Sequence, residues 1–189
     1  MRYLMGPGLA LFFFTALPAH AQSHAGQLIH DRTGMTGIEL VGGYGEKTDN
    51  WRLTANWYLF SRTIAGVQVD FSLGANFSVF DGKTTEEKSP RMKDLGLTPT
   101  ATINLGRGLG PFQPYLEMGI GLHYLTDKQF TTKDFSTNFQ FGDHIGMGLR
   151  FGEQGRQRLA YQFQHLSNAG ISNPNPGINF HLVSYGLSL

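Results

Sequence analysis

The sequence predicts an all-β fold, an eight-stranded antiparallel transmembrane β-barrel. Three observations predict it. Apolar and polar residues alternate with a period of two through one segment after another, the signature of strands with one apolar face. The links between segments are short at one end of the strands, and long polar links gather at the other, as in membrane barrels. The chain is poor in charge (15%) and rich in aromatic residues (13%) and glycine (25 residues). Yet beyond the N-terminus it holds no run of 18 or more apolar residues that would make a membrane-spanning helix.

Residues 1–21 read as a signal peptide and residues 22–189 as the barrel. Met1-Arg2 is a minimal positive n-region, Leu9 to Leu17 an apolar core of suitable length, and Ala19-His20-Ala21 a small-x-small cleavage site. Cleavage would take Arg2 from the 15 basic residues and none of the 14 acidic ones, so the mature chain has no formal charge. That balance excludes a strongly basic nucleic-acid binder. With no cysteine, disulfide frameworks, Cys-ligated zinc and thiol nucleophiles are excluded, and export without cysteine points to a bacterial envelope.

The first two strands fall at about residues 37–45 and 51–60. The third is the longest clean alternation: Val67, Val69, Phe71, Leu73, Ala75, Phe77 and Val79 share one face, and Gln68, Asp70, Ser72, Gly74, Asn76 and Ser78 the other. Residues 95–105 form the fourth strand and 116–124 the fifth, with Glu117 and His123 on its polar face. Residues 139–151 form the sixth, where Gln140, His144 and Arg150 alternate with apolar neighbours. Leu159, Tyr161 and Phe163 mark the seventh strand, and Val183, Tyr185, Leu187 and Leu189 the eighth. Short links are expected around residues 62–65, 108–111 and 152–155, and long ones over 81–93, 126–136 and 168–178. A soluble eight-stranded barrel of the lipocalin type would reverse the faces. Against it stand the strand lengths, an apolar last strand, and a polar face made mostly of small residues that suit a narrow lumen.

A barrel does not specify a function, so chemistry has to be sought in side chains. The apolar face of strand seven continues into His165 and Ser167. At i and i+2 on one face these two are neighbours, close enough for an imidazole to take a hydroxyl proton. The plain alternative is the start of a polar interfacial rim.

The segment Gln164-His165-Leu166-Ser167-Asn168-Ala169-Gly170, followed by Asn175-Pro176-Gly177-Ile178, resembles the PagL-type lipid A 3-O-deacylases of the Gram-negative outer membrane. Residues 114–121 and 143–149 resemble that family's fifth and sixth strands. The resemblance implies a serine esterase on the lipid-facing wall, acting on lipid A in the outer leaflet and needing no cofactor. It implies Ser167 as nucleophile, His165 as general base, and Asn168 with Gly170 as oxyanion donors. The third member, a glutamate in the family pattern, falls here on Asn179.

Asn179 lies ten residues before Leu189 and so shares the outward face of strand eight, where a hairpin can bring it beside His165. Asparagine can orient an imidazole but cannot stabilise imidazolium by charge. A compensating carboxylate is offered by Asp143: a turn centred on Gln154 pairs 151 with 157 and hence 143 with 165. Asp143 is equally readable as the first residue of a polar rim.

Elsewhere, Glu117, His123, His144 and Arg150 have lumen parity and read as a paired interior plug. Lys83, Lys88, Arg91 and Lys93 read as a solvated loop rather than a lipid A phosphate site. No metal motif is present. Three functions stay open: an esterase of lipid A; a structural or adhesive small barrel; and another outer-membrane lipid acyl hydrolase or acyltransferase. Lipid A or lipopolysaccharide is the expected partner, in the membrane and without nucleic acid; a homodimer is left open.

Overall fold

The computed structural model describes residues 35–83, 90–106 and 110–189. The expected signal peptide, together with Lys88, Arg107 and Gly108, lies outside these described residues. Eight antiparallel strands close a barrel in sequence order, with the first paired to the last. They are β1 Gly37–Gly45, β2 Thr48–Ile64, β3 Val67–Gly82, β4 Arg91–Asn104, β5 Gln113–Leu125, β6 Phe139–Phe151, β7 Gln157–Ser167 and β8 Ile178–Ser188. Closure leaves no unpaired sheet edge, which a membrane interior would not tolerate.

The outer wall is the apolar face. Leu40, Trp51, Ile120 and Phe139 are 63, 63, 67 and 67% exposed, values that make sense only against lipid. Around the barrel the strands present Leu53, Phe77, Leu95, Leu122, Ile145, Met147, Leu159 and Val183 in the same way. The soluble alternative, with apolar residues inside and polar outside, is therefore the wrong way round.

Several strands outrun their expected ends. β2 and β3 continue to Ile64 and from Val67, joined only by Ala65-Gly66. Both turn residues have positive φ (50° and 82°), the type I′ geometry whose twist matches a right-twisted hairpin. The link expected over 81–93 is shorter, because Asp81 pairs with Arg91 and carries the ladder outward. β2 also holds a bulge between Tyr58 and Phe60. It moves the outward face from odd residues (Trp51, Leu53) to even ones, so Phe60 stacks on Phe71 at 4.8 Å.

The interior is layered. Near the turn end, the Asp70 carboxylate accepts from Ser61 (2.6 Å), Asn104 (3.0 Å) and Arg150 (3.2 Å). Higher up, Arg158 meets Glu39 at 3.1 Å and Gln162 donates to Glu117 at 2.8 Å. Next comes a wholly buried set. Asp94 accepts from His123 Nδ1 (2.9 Å) and Ser78 Oγ (3.1 Å), and Arg52 donates to Ser78 and to Gln164. Glu117, His123 and Arg150 thus have the paired lumen roles expected of them. The layer at the loop end is different. Phe80, Met92, Leu125, Leu166, Phe180 and Leu182 also point inward and pack with loop residues Phe130 and Phe135 into an apolar cluster. Phe80 centres on Phe180 at 4.8 Å. The lumen is therefore not lined by small polar residues along its whole length, because its outer mouth is a hydrophobic core.

The candidate active site on the outer wall

The site lies where β7 and β8 reach the loop end. β7 pairs with β6 on one side and β8 on the other, so His165 stands between Asp143 and Asn179. The turn at Glu153–Gly155 holds Phe151 opposite Gln157, and counting along the ladder puts 143 beside 165. Both flanking residues share the outward face of His165.

Asn179 makes the direct contact. Its Oδ1 lies 2.6 Å from His165 Nδ1, so the ring nitrogen donates and the amide oxygen accepts. That assigns the proton to Nδ1 and leaves the Nε2 lone pair free. Asp143 sits in the facing position on an exposed stretch of β6 but is not hydrogen-bonded to the imidazole. A single Nδ1–H needs a single acceptor, and Asn179 supplies it. Ser167 is half-buried, opposite Phe141 and one same-face step beyond His165. Among the described residues no hydrogen bond joins Ser167 to His165.

Gly177 lets the imidazole sit where it does. It has φ of +60°, and a Cβ there would come within 2.7 Å of His165 Cε1. Any side chain would therefore be strained in backbone and in contact at once. Its carbonyl accepts from Lys133 Nζ at 2.7 Å, which ties the β7–β8 link to the loop after β5.

The residues expected as oxyanion donors are engaged within their own loop. Asn168 N–H donates to Asn175 Oδ1 (3.0 Å) and Gly170 N–H to Asn168 Oδ1 (2.9 Å). The Asn168 side chain is 2% exposed and donates to Ser136 Oγ (2.8 Å) and the Ser172 carbonyl (2.7 Å). It is a staple that holds the turn after β7 in one shape.

Toward the membrane from His165, Phe163, Tyr161 and His181 form an aromatic floor with Tyr44. Tyr161 Oη and His181 Nδ1 are 2.6 Å apart, and the Phe163 and His181 rings centre 5.4 Å from each other. Sequence reasoning missed His181, Lys133 and Glu46, and it gave Asn175 a place in the motif but no role. Glu46 lies in the two-residue β1–β2 turn, where its Oε1 accepts from Asn179 Nδ2 at 3.4 Å and its Oε2 from Lys133 Nζ at 2.6 Å. The link to β1 follows from the pairing of Gly45 with Phe180, which only barrel closure reveals.

A family profile described as "Lipid A 3-O-deacylase (PagL)" matches residues 48–188. The chain is 42% identical over 71 residues to the lipid A deacylase PagL of Bordetella bronchiseptica, covering 38% of this chain and 39% of that one. It is 30% identical over 77 residues to the lipid A deacylase PagL of Pseudomonas aeruginosa, covering 41% and 43%. The match thus spans about two fifths of the length of these curated relatives. In fold, the chain is similar to a crystal structure of the outer membrane enzyme PagL, with a TM-score of 0.69 at 20% identity over 81% of this chain and 99% of that one. With residues 48–188 matched, the chain belongs to the lipid A 3-O-deacylase (PagL) family.

Proposed function

We propose that the protein is an outer-membrane esterase that removes the 3-position ester-linked acyl chain of lipid A by a Ser-His mechanism. One observation carries the reading. A histidine oriented through Nδ1 stands one same-face step from a serine on a wall that otherwise meets lipid. A substrate for that position has to be a membrane lipid, and the loop end of an outer-membrane barrel faces the leaflet that holds lipopolysaccharide.

Ser167 Oγ attacks the ester carbonyl while His165 Nε2 takes its proton. The tetrahedral oxyanion is received by the N–H groups of Asn168 and Gly170, which exchange their amide acceptors for the stronger charged one. The imidazolium returns the proton to the departing 3-hydroxyl of the sugar. Water, deprotonated by the same nitrogen, then attacks the acyl-serine; the acyl–Oγ bond breaks, the imidazolium returns the proton to Ser167 Oγ, and the fatty acid leaves. Asn179 holds the imidazole throughout. Phe141, opposite Ser167, and Phe163 and Tyr161 below His165 give the acyl chain an apolar path into the bilayer, with Phe139 at the loop end.

Mass spectrometry of lipid A from cells expressing the wild type tests the reading. Loss of one 3-linked chain is expected. An unchanged mass returns the structural or adhesive barrel, and a gain of mass or loss from another position returns a different acyl enzyme. Within the site, Asn179→Ala should slow deacylation by about tenfold to a hundredfold, the worth of a hydrogen bond to a group that becomes charged. Asp143→Asn should cost less than about threefold, because an exposed carboxylate without a hydrogen bond to the ring adds little. The reverse order would give the orienting role to Asp143.

A further inference from the structure

We infer that Glu46 is a positioning residue that sets the tautomer of His165 by fixing which way the Asn179 amide faces; the inference rests on the proposed esterase site. The argument begins with a weakness of asparagine. A carboxylate presents only acceptors to an imidazole, but an amide has one accepting and one donating end of almost equal size. With Oδ1 toward the ring, His165 carries its proton on Nδ1 and Nε2 is a base. With Nδ2 toward the ring, Nδ1 must accept, the proton moves to Nε2, and the base is lost. Where the family pattern has glutamate, this ambiguity does not arise.

The far side of Asn179 resolves it. Glu46 Oε1 stands 3.4 Å from Nδ2 and can only accept. Turning the amide lets the imidazole re-pair by moving its proton to Nε2, but it sets Oδ1 against the carboxylate, and that lost hydrogen bond and the repulsion in its place hold Oδ1 toward the ring. The carboxylate is itself held, because Lys133 Nζ binds Oε2 at 2.6 Å and the Gly177 carbonyl at 2.7 Å. Lys133 is 13% exposed, whereas Glu46 is 52% exposed. The ammonium beside it largely offsets the carboxylate charge, so Glu46 acts by accepting and not by supplying negative charge to imidazolium.

Backbone geometry explains how a residue of the β1–β2 turn reaches a site built on β7 and β8. Gly45 pairs with Phe180, and a Cβ on Gly45 would lie 2.0 Å from the Asn179 carbonyl oxygen. Glycine permits that approach. The chain then turns back after Glu46 and Lys47, with Lys47 at φ 54°, which keeps Glu46 level with Asn179.

The test reads the imidazole nitrogens directly. In 15N spectra of the folded full chain in micelles, recorded well above the ordinary histidine pKa of about 6.5, His165 should be the Nδ1–H tautomer in the wild type. Glu46→Ala should mix the two tautomers and lower kcat on lipid A about fivefold to tenfold, with KM little changed. Glu46→Gln should not recover the loss, because Lys133 claims its amide oxygen and leaves its NH2 group facing Asn179. In an Asn179→Glu background there is no amide to orient, so adding Glu46→Ala should lower kcat no further. An unchanged tautomer in Glu46→Ala, or a loss of kcat that persists beside Asn179→Glu, would overturn the inference. The tautomer measurement does not depend on the substrate. Wild type against Ser167→Ala on lipid A fails separately if the esterase reading itself is wrong.

Discussion

Ser167→Ala should leave lipid A at full mass in cells where the wild type removes a chain, with the deacylation rate lowered by at least roughly a thousandfold. The size of the effect follows from covalent catalysis. Without the hydroxyl no acyl-serine forms, and the oxyanion donors have only an unassisted water to help. His165→Ala should cost about as much, and the double variant no more than either alone, because serine and imidazole act as one unit. Both side chains lie on the outer wall, and neither belongs to the buried interior clusters. Each variant should therefore keep the wild-type shift between folded and heat-denatured forms on a semi-native gel. If the double variant were much slower than either single one, the two residues would be acting independently and the nucleophile–base pairing would be wrong.

The second large effect concerns stability. Asp94→Ala should destabilise the barrel by about 3 kcal/mol, read as a lower urea midpoint for unfolding from lipid bilayers. Asp94 and His123 are both fully buried, and the carboxylate accepts from His123 at 2.9 Å and Ser78 at 3.1 Å. Its removal strands two donors beside the buried Arg52 guanidinium, which donates to Ser78 and Gln164. Unsatisfied polar groups at that depth have no water to turn to. Deacylation per folded molecule should stay at the wild-type level, because the cluster faces the lumen and the reaction faces lipid. A loss of activity in step with stability would instead show that the interior transmits strain to the wall.

The contrast between these two regions explains what could be read from residues alone. The eight strands and their outward faces follow from period-two alternation, and so does the 143–165 pairing, once a turn centre is chosen. The β2 bulge was not legible. One added residue at Tyr58–Phe60 leaves clean alternation on both sides and shows only as a change of outward parity from Trp51 and Leu53 to Phe60 and Ile64. The apolar cluster at the mouth was hidden for a different reason. Phe80 falls just past the alternation that ends at Val79 and Met92 inside the link expected over 81–93, and only the longer strands and the folding-in of Phe130 and Phe135 bring them together with Phe180. In the site, His165, Ser167 and Asn179 lie close in sequence on one hairpin. Glu46 is 133 residues from Asn179, and its part depends on barrel closure, which no local pattern encodes.

The cluster of Phe80, Met92, Leu125, Phe130, Phe135 and Phe180 has a consequence for the cell. It stoppers the outer end of the barrel, and the cavity below, lined by Arg52, Glu117, His144 and Arg158, measures about 40 Å³, room for a few water molecules. Among the described residues the barrel is plugged at its outer mouth and is not a conduit. A bacterium can carry many copies of it without opening a route for hydrophilic antibiotics.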